Sequence, residues 1–152
     1  MIRFHQLIST SLGIGYIGKG AGTVAAVVTA LAWYMLQAGE ISDISMQWGI
    51  TLLIVVLGTW SASEVEKNWG KDNQKVVIDE VAGMCISLLM LPPSLLYIAA
   101  GLVLFRFFDI AKPLYIRKAE RLPGGWGVML DDILAGVYAN LLLQIAFRSK
   151  LF

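Results

Sequence analysis

Five carboxylates and a group of bases stand where an apolar chain offers them little solvent. Asp79-Glu80, Asp109 and Asp131-Asp132 fall in three segments far apart in the sequence, each inside or against an apolar run. Burying such groups unpaired costs several kcal/mol each, so they must be paired, metal-bound or functional. Hard divalent cations take oxygen ligands, and magnesium uses one or two carboxylates while keeping waters and substrate phosphate oxygens. A metal site is one reading. The other is that each pair caps a helix, because Asp79-Glu80 and Asp131-Asp132 both fall in a predicted first turn, where the helix dipole favours negative charge. Gly83 and Gly136 lie four residues after Asp79 and Asp132. A glycine one turn along the same face leaves space for something to approach.

Arg106, Asp109 and Lys112 are spaced three apart and share a face if the helix continues through them. Arg106 can clamp phosphate oxygens with its planar fork and Lys112 can add a point charge. The same spacing also suits an ordinary ladder of ion pairs. Beside the carboxylates, the pattern points to a phosphate next to a metal. Two glycine-rich segments, 13–22 and 124–127, each lead to a helix start, where free N–H groups and the dipole bind anions. Neither carries the Gly-Lys-Ser/Thr of a P-loop.

The elements that must position these residues read as helices. Apolar residues come in long runs rich in Ala, Leu, Met and Gly, not in short alternating segments. A short helix is expected within 4–12, and longer ones over 23–37, 45–67, 76–91, 95–108 and 129–147, with a basic helix or turn over 113–121. Thr23 is the expected N-cap of the second and Gly39 its end, and Pro92-Pro93 stops the helix that carries Asp79. If consecutive helices run up and down, one end of the bundle receives segments 19–22, 64–80 and 106–132, with almost every titratable residue. Exceptions include Glu40 and Asp43 in the first hairpin and Arg148 and Lys150 after the last helix.

Composition bounds the rest. The 152 residues suit a single domain, 57% hydrophobic and 15% charged, with a net charge of +1 that argues against nucleic acid as a partner. Helices apolar nearly all round suit a membrane bundle or a buried place in a homo-oligomer. Ser9, Thr10 and the early glycines interrupt any signal-peptide core, which places the protein on the cytoplasmic side. Cys85, the only cysteine, is expected to be a buried small hydrophobe, and His5 a surface or interface residue.

The segments Ile78-Asp79-Glu80-Val81-Ala82-Gly83, Phe105-Arg106-Phe107-Phe108-Asp109-Ile110-Ala111-Lys112-Pro113 with Ile116-Arg117, and Gly124-Gly125-Trp126-Gly127-Val128-Met129-Leu130-Asp131-Asp132 with Ala135-Gly136 resemble the phosphatidylglycerophosphatase A family in order and spacing. Lys19 and Gly22-Thr23 extend the likeness, while Ala21, Ala25, Ala26 and Gln74 depart from the family's pattern. The resemblance implies one all-α domain over residues 1–152, a helical bundle with a central helix surrounded by others and the active site at one end. It implies a magnesium-dependent phosphoric monoester hydrolase of the cytoplasmic membrane that converts phosphatidylglycerophosphate to phosphatidylglycerol and phosphate. Asp79, Glu80, Asp109, Asp131 and Asp132 would then be catalytic, with Mg2+ on Asp79, Glu80, Asp109 and Asp132, and Lys19, Thr23, Arg106, Lys112 and Arg117 would hold the phosphate. Trp60, Phe107, Phe108 and Trp126 would lie near the lipid interface. The competing reading is a non-enzymatic membrane bundle or transporter with a carboxylate relay.

Overall fold

The computed structural model describes residues 1–39 and 43–151, so Glu40 lies outside the described residues. The described residues form helices and contain no strand: α1 (Ile2–Ser9), a 3-10 turn (Ile14–Ile17), α2 (Ala21–Ala38), α3 (Ile44–Trp69), α4 (Ile78–Leu88), α5 (Leu95–Ala111), α6 (Ile116–Ala119) and α7 (Gly125–Arg148). The short α4 packs against α2, α3, α5 and α7 and is the central helix. Its Met84, Cys85 and Leu88 are buried with Ala26, Ala30, Phe105, Ala135 and Ala139 of the surrounding helices, and its Ala82 with Met129 of α7. Cys85 is buried as expected, and burial pushes its thiol up to about 12.

The central helix is shorter than its apolar run predicts. At its start, the Val77 N–H donates to the carbonyl of Ser9 at 2.8 Å, which ties the chain to α1 before helix begins. At its end, carbonyls without helical partners would be costly in apolar surroundings. Amide side chains from three neighbouring helices supply the missing bonds. Asn140 Nδ2 donates to the carbonyls of Ser87 and Leu89, Gln144 Nε2 to Leu89, and Gln37 Nε2 to Leu91. Gln47 Oε1 accepts from the Met90 N–H. Four amides in otherwise apolar helices thus close the far end of α4.

The outer helices also differ from expectation at their starts. α2 begins at Ala21 after Gly20, whose φ of 87° is left-handed, so Thr23 lies in the first turn and is not the cap. α7 begins at Gly125, four residues before the predicted start. Gly125 and Gly127 allow it, because a Cβ there would press on the carbonyls of Thr59 and Leu122. Asp131 and Asp132 consequently sit about two turns inside α7, beyond the first turn in which the dipole is felt. Asp79 and Glu80 do occupy the first turn of α4.

His5 is buried, not superficial. Its Nδ1 lies 3.2 Å from Ser61 Oγ and its ring meets Trp60 edge-on, because α1 packs along α3. Three helices, α2, α3 and α7, are long and apolar enough to cross a membrane. Their exposed faces carry Leu31 and Met35, Leu52, Leu53 and Val56, and Leu141 and Ile145. An 18-residue helix such as α2 spans about 27 Å, close to the hydrocarbon thickness of about 30 Å.

Candidate active site

Helix ends meet above the central helix around a cavity of about 420 Å³. The first turn of α2 brings Thr23, with Lys19 in the loop before it, and the first turn of α4 brings Asp79 and Glu80. The last turns of α5 bring Arg106 and Asp109, Lys112 follows directly, and α7 adds Asp131 and Asp132. Of the ten residues expected from sequence, nine line this cavity. The tenth, Arg117, is exposed on α6 and does not line it, because α6 turns Ile116 inward as its buried residue. Trp60, Phe107 and Trp126 are exposed, while Phe108 is partly buried and edge-on to Tyr138.

Glycines set how closely these walls approach. A Cβ on Gly22 would meet the Glu80 carboxylate, so a larger residue there would push that side chain out of its present place. Gly83 faces Phe105 and the carbonyl of Asp132, and Gly136 faces the backbone of Gly83. The space these two glycines leave is therefore filled by the crossing of α4 and α7, not by a ligand. That crossing is what brings Asp132 beside Asp79 and Glu80.

The charges are not uniformly paired. Arg106 Nη1 donates to Asp109 Oδ2 at 2.7 Å, and Lys112 Nζ donates to Asp131 Oδ2 at 2.6 Å and lies 3.3 Å from Glu120 Oε1. Burial pushes the Lys112 ammonium down, but the bonds to Asp131 and Glu120 outweigh it and leave it raised. By contrast, Asp79 Oδ1, Glu80 Oε2 and Asp132 Oδ2 are buried without a hydrogen-bond partner, as is Arg106 Nε. Burial first, then the charges of Glu80 and Asp132, holds the Asp79 carboxyl well above the usual carboxylate range.

Ligand oxygens of Asp79, Glu80 and Asp132 lie within 4.8 Å of one another, as do those of Asp109, Asp131 and Asp132. Buried, unpartnered carboxylate oxygens at that spacing fit a hard divalent cation, which satisfies both the charge and the lone pairs. The donor set is all oxygen, and sulfur and imidazole are absent from it. Four polar side chains of the lining were not expected from sequence: Asp72, Asn73, Gln74 and Glu120. Segment 72–74 stands out in sequence only as a polar link, and nothing marks Glu120 until its bond to Lys112 is seen.

The phosphatidylglycerophosphatase A family model matches residues 7–147. The chain is 39% identical over 146 residues to a Bacteroides thetaiotaomicron protein named "Putative phosphatidylinositol-3-phosphatase", covering 92% of this chain and 91% of that one. It is 33% identical over 139 residues to phosphatidylglycerophosphatase A of Escherichia coli, covering 87% of this chain and 77% of that one. The Haemophilus influenzae protein of the same name is 33% identical over 137 residues, covering 88% and 83%. No solved structure matches.

Proposed function

Because the chain belongs to the phosphatidylglycerophosphatase A family, we propose that it hydrolyses the terminal phosphomonoester of phosphatidylglycerophosphate, with Mg2+, to phosphatidylglycerol and phosphate. The observation that carries this reading is the convergence of Arg106, Lys112, Lys19 and five carboxylates on one cavity from four separate segments. A phosphomonoester is a dianion, and its transfer to water needs mainly positioning and neutralisation of charge on the equatorial oxygens. Arg106 offers a buried Nε that has no acceptor, and its fork can take two phosphate oxygens. Lys112 and Lys19 add point charges, and the start of α2 adds its dipole.

The carboxylates of the cavity would hold the magnesium ion. Bound there, it would neutralise phosphate charge and acidify a water. Hydrolysis joins a water oxygen to phosphorus and breaks the bond from phosphorus to the glycerol oxygen. The proton of the water passes to a carboxylate of the cavity, and the departing alkoxide takes a proton in turn.

The basic residues Lys71 and Lys75 of the α3–α4 connection and Arg117, Lys118 and Arg121 of the α5–α7 connection support a cytoplasmic-facing cavity in a membrane-embedded chain. Exposed Trp60, Phe107 and Trp126 would then sit near the lipid head groups, with the acyl chains leaving past them.

A second substrate is raised by the Bacteroides relative, whose name specifies a phosphoinositide. Both lipids present a phosphomonoester on a polyol. Phosphate release by the purified chain in detergent micelles, with magnesium or with chelator, tests the reading on phosphatidylglycerophosphate, phosphatidylinositol 3-phosphate and glycerol 3-phosphate. The expected order is phosphatidylglycerophosphate fastest, glycerol 3-phosphate much slower because it lacks acyl binding energy, and nothing in chelator. Faster turnover of the phosphoinositide would reassign the substrate. No release from any of them would favour the non-enzymatic bundle, and full activity in chelator would remove the metal.

A further inference from the structure

The five carboxylates form two trios that share Asp132, and the trios are not equivalent. In the first, Asp79, Glu80 and Asp132 each keep one buried oxygen without a partner, and Asp132 is only 3% exposed. Among the described residues, no lysine or arginine is ion-paired with any of the three. In the second trio, Asp109 is already held by Arg106 at 2.7 Å and Asp131 by Lys112 at 2.6 Å. A divalent cation gains most where charge and lone pairs stand uncompensated. At the second trio a guanidinium and an ammonium already balance two of the carboxylates, so a cation would gain less there and would meet their repulsion.

Resting on the phosphatase reading for the identity of the cation, we propose that the chain binds one divalent ion, at Asp79, Glu80 and Asp132. Asp109 and Asp131 are positioning residues that hold Arg106 and Lys112 at the cavity for the phosphate. The backbone fits that division. Asp109 follows Arg106 by one turn of α5, and Lys112 ends that helix in a left-handed conformation, with φ of 45°, and bonds Asp131 on α7. On this proposal Asp109, which the family resemblance puts among the metal ligands, acts one contact further out.

Manganese titration of the full chain in detergent micelles, read by electron paramagnetic resonance without lipid, tests the assignment. One Mn2+ per chain is expected, and two would overturn it whatever any variant does. Asp79→Asn should weaken binding by about tenfold or more, as loss of even an outer partner does. The charge-neutral pairs Arg106→Gln with Asp109→Asn, and Lys112→Gln with Asp131→Asn, remove one charge of each sign. They should leave Mn2+ affinity within about threefold of wild type, since the net field at the ion is nearly unchanged. Both should weaken binding of inorganic phosphate to the manganese form. If either pair lost Mn2+ as Asp79→Asn does, its aspartate would be a ligand and the assignment would fall. One ion bound with no lipid hydrolysed would sink the phosphatase reading alone. No ion bound would overturn the assignment and leave hydrolysis to be judged by phosphate release.

Discussion

Replacing Asp79 by asparagine should stabilise the cation-free protein while weakening its response to magnesium. The ligand oxygens of Asp79, Glu80 and Asp132 lie within 4.8 Å of one another, and two unit charges at that limit repel by about 3.5 kcal/mol at an effective dielectric near 20. Proton uptake by one member limits that cost. The asparagine would remove the charge and bring an NH2 group that can donate to Glu80 or Asp132, a bond to a charged acceptor worth about 1.5–3 kcal/mol. A net gain of about 1–3 kcal/mol in chelator follows, or roughly 3–10 °C for a chain of this length. Magnesium should narrow or cancel that advantage, because a ligand at a hundred times its Kd stabilises by about 2.7 kcal/mol the form that binds it and by about 1.4 kcal/mol or less a form that binds at least tenfold more weakly.

Thermal unfolding in detergent, in chelator and in saturating magnesium, measures both effects. The pH dependence has a definite sign. The folded Asp79 carboxyl is raised above its unfolded value. Its contribution is therefore fully present below the ordinary carboxylate range and lost as pH rises through the raised value. The advantage of the variant in chelator should widen from acid to neutral pH. An Asp79→Asn protein less stable than wild type in chelator at neutral pH, or equally stabilised by magnesium, would refute the picture of an uncompensated carboxylate cluster.

Arg106→Lys should lower turnover by about 10- to 100-fold, the worth of one or two hydrogen bonds to a charged group, because an ammonium cannot supply both Nη1 to Asp109 and the free Nε. Wild-type rates in that variant would mean that Arg106 only pairs with Asp109. Arg117→Ala should keep activity within about twofold, since the exposed side chain lies outside the cavity. A large loss of phosphate release would return Arg117 to the site. Gly136→Ala should destabilise by about 1–3 kcal/mol or more, because its Cβ meets the backbone of Gly83 and neither helix can yield by rotating a side chain. It should also weaken Mn2+ binding by parting Asp132 from Asp79, and an unchanged melting temperature would contradict the tight crossing.

The sequence by itself determined the helical class and most of the charged side chains that line the cavity. Long apolar runs without alternation leave little but helices, and charges set against such runs are too costly to keep without a purpose. Asp79-Glu80, Arg106 to Lys112 and Asp131-Asp132 were legible for that reason. Helix periodicity also placed Arg106 and Asp109 on one face, and their ion pair follows from it. Arg117 was misplaced because a four-residue helix such as α6 has too few turns for spacing to show which side faces the cavity.

What only the tertiary structure decided depends on how helices cross. Gly83 and Gly136 read as room for a ligand, yet each is spent on the contact between α4 and α7. Glycine reports that something comes close and does not say what. The start of α7 at Gly125 was hidden because glycine weakens a helix in isolation, whereas here its small size lets the first turn pack on Thr59 and Leu122. His5 and the amides that close α4 meet partners more than 40 residues away. Which base belongs to which carboxylate was settled the same way. Lys112 lies 19 residues from Asp131, and only the crossing of α5 with α7 joins them, whereas Asp79, Glu80 and Asp132 have no ion-paired base among the described residues.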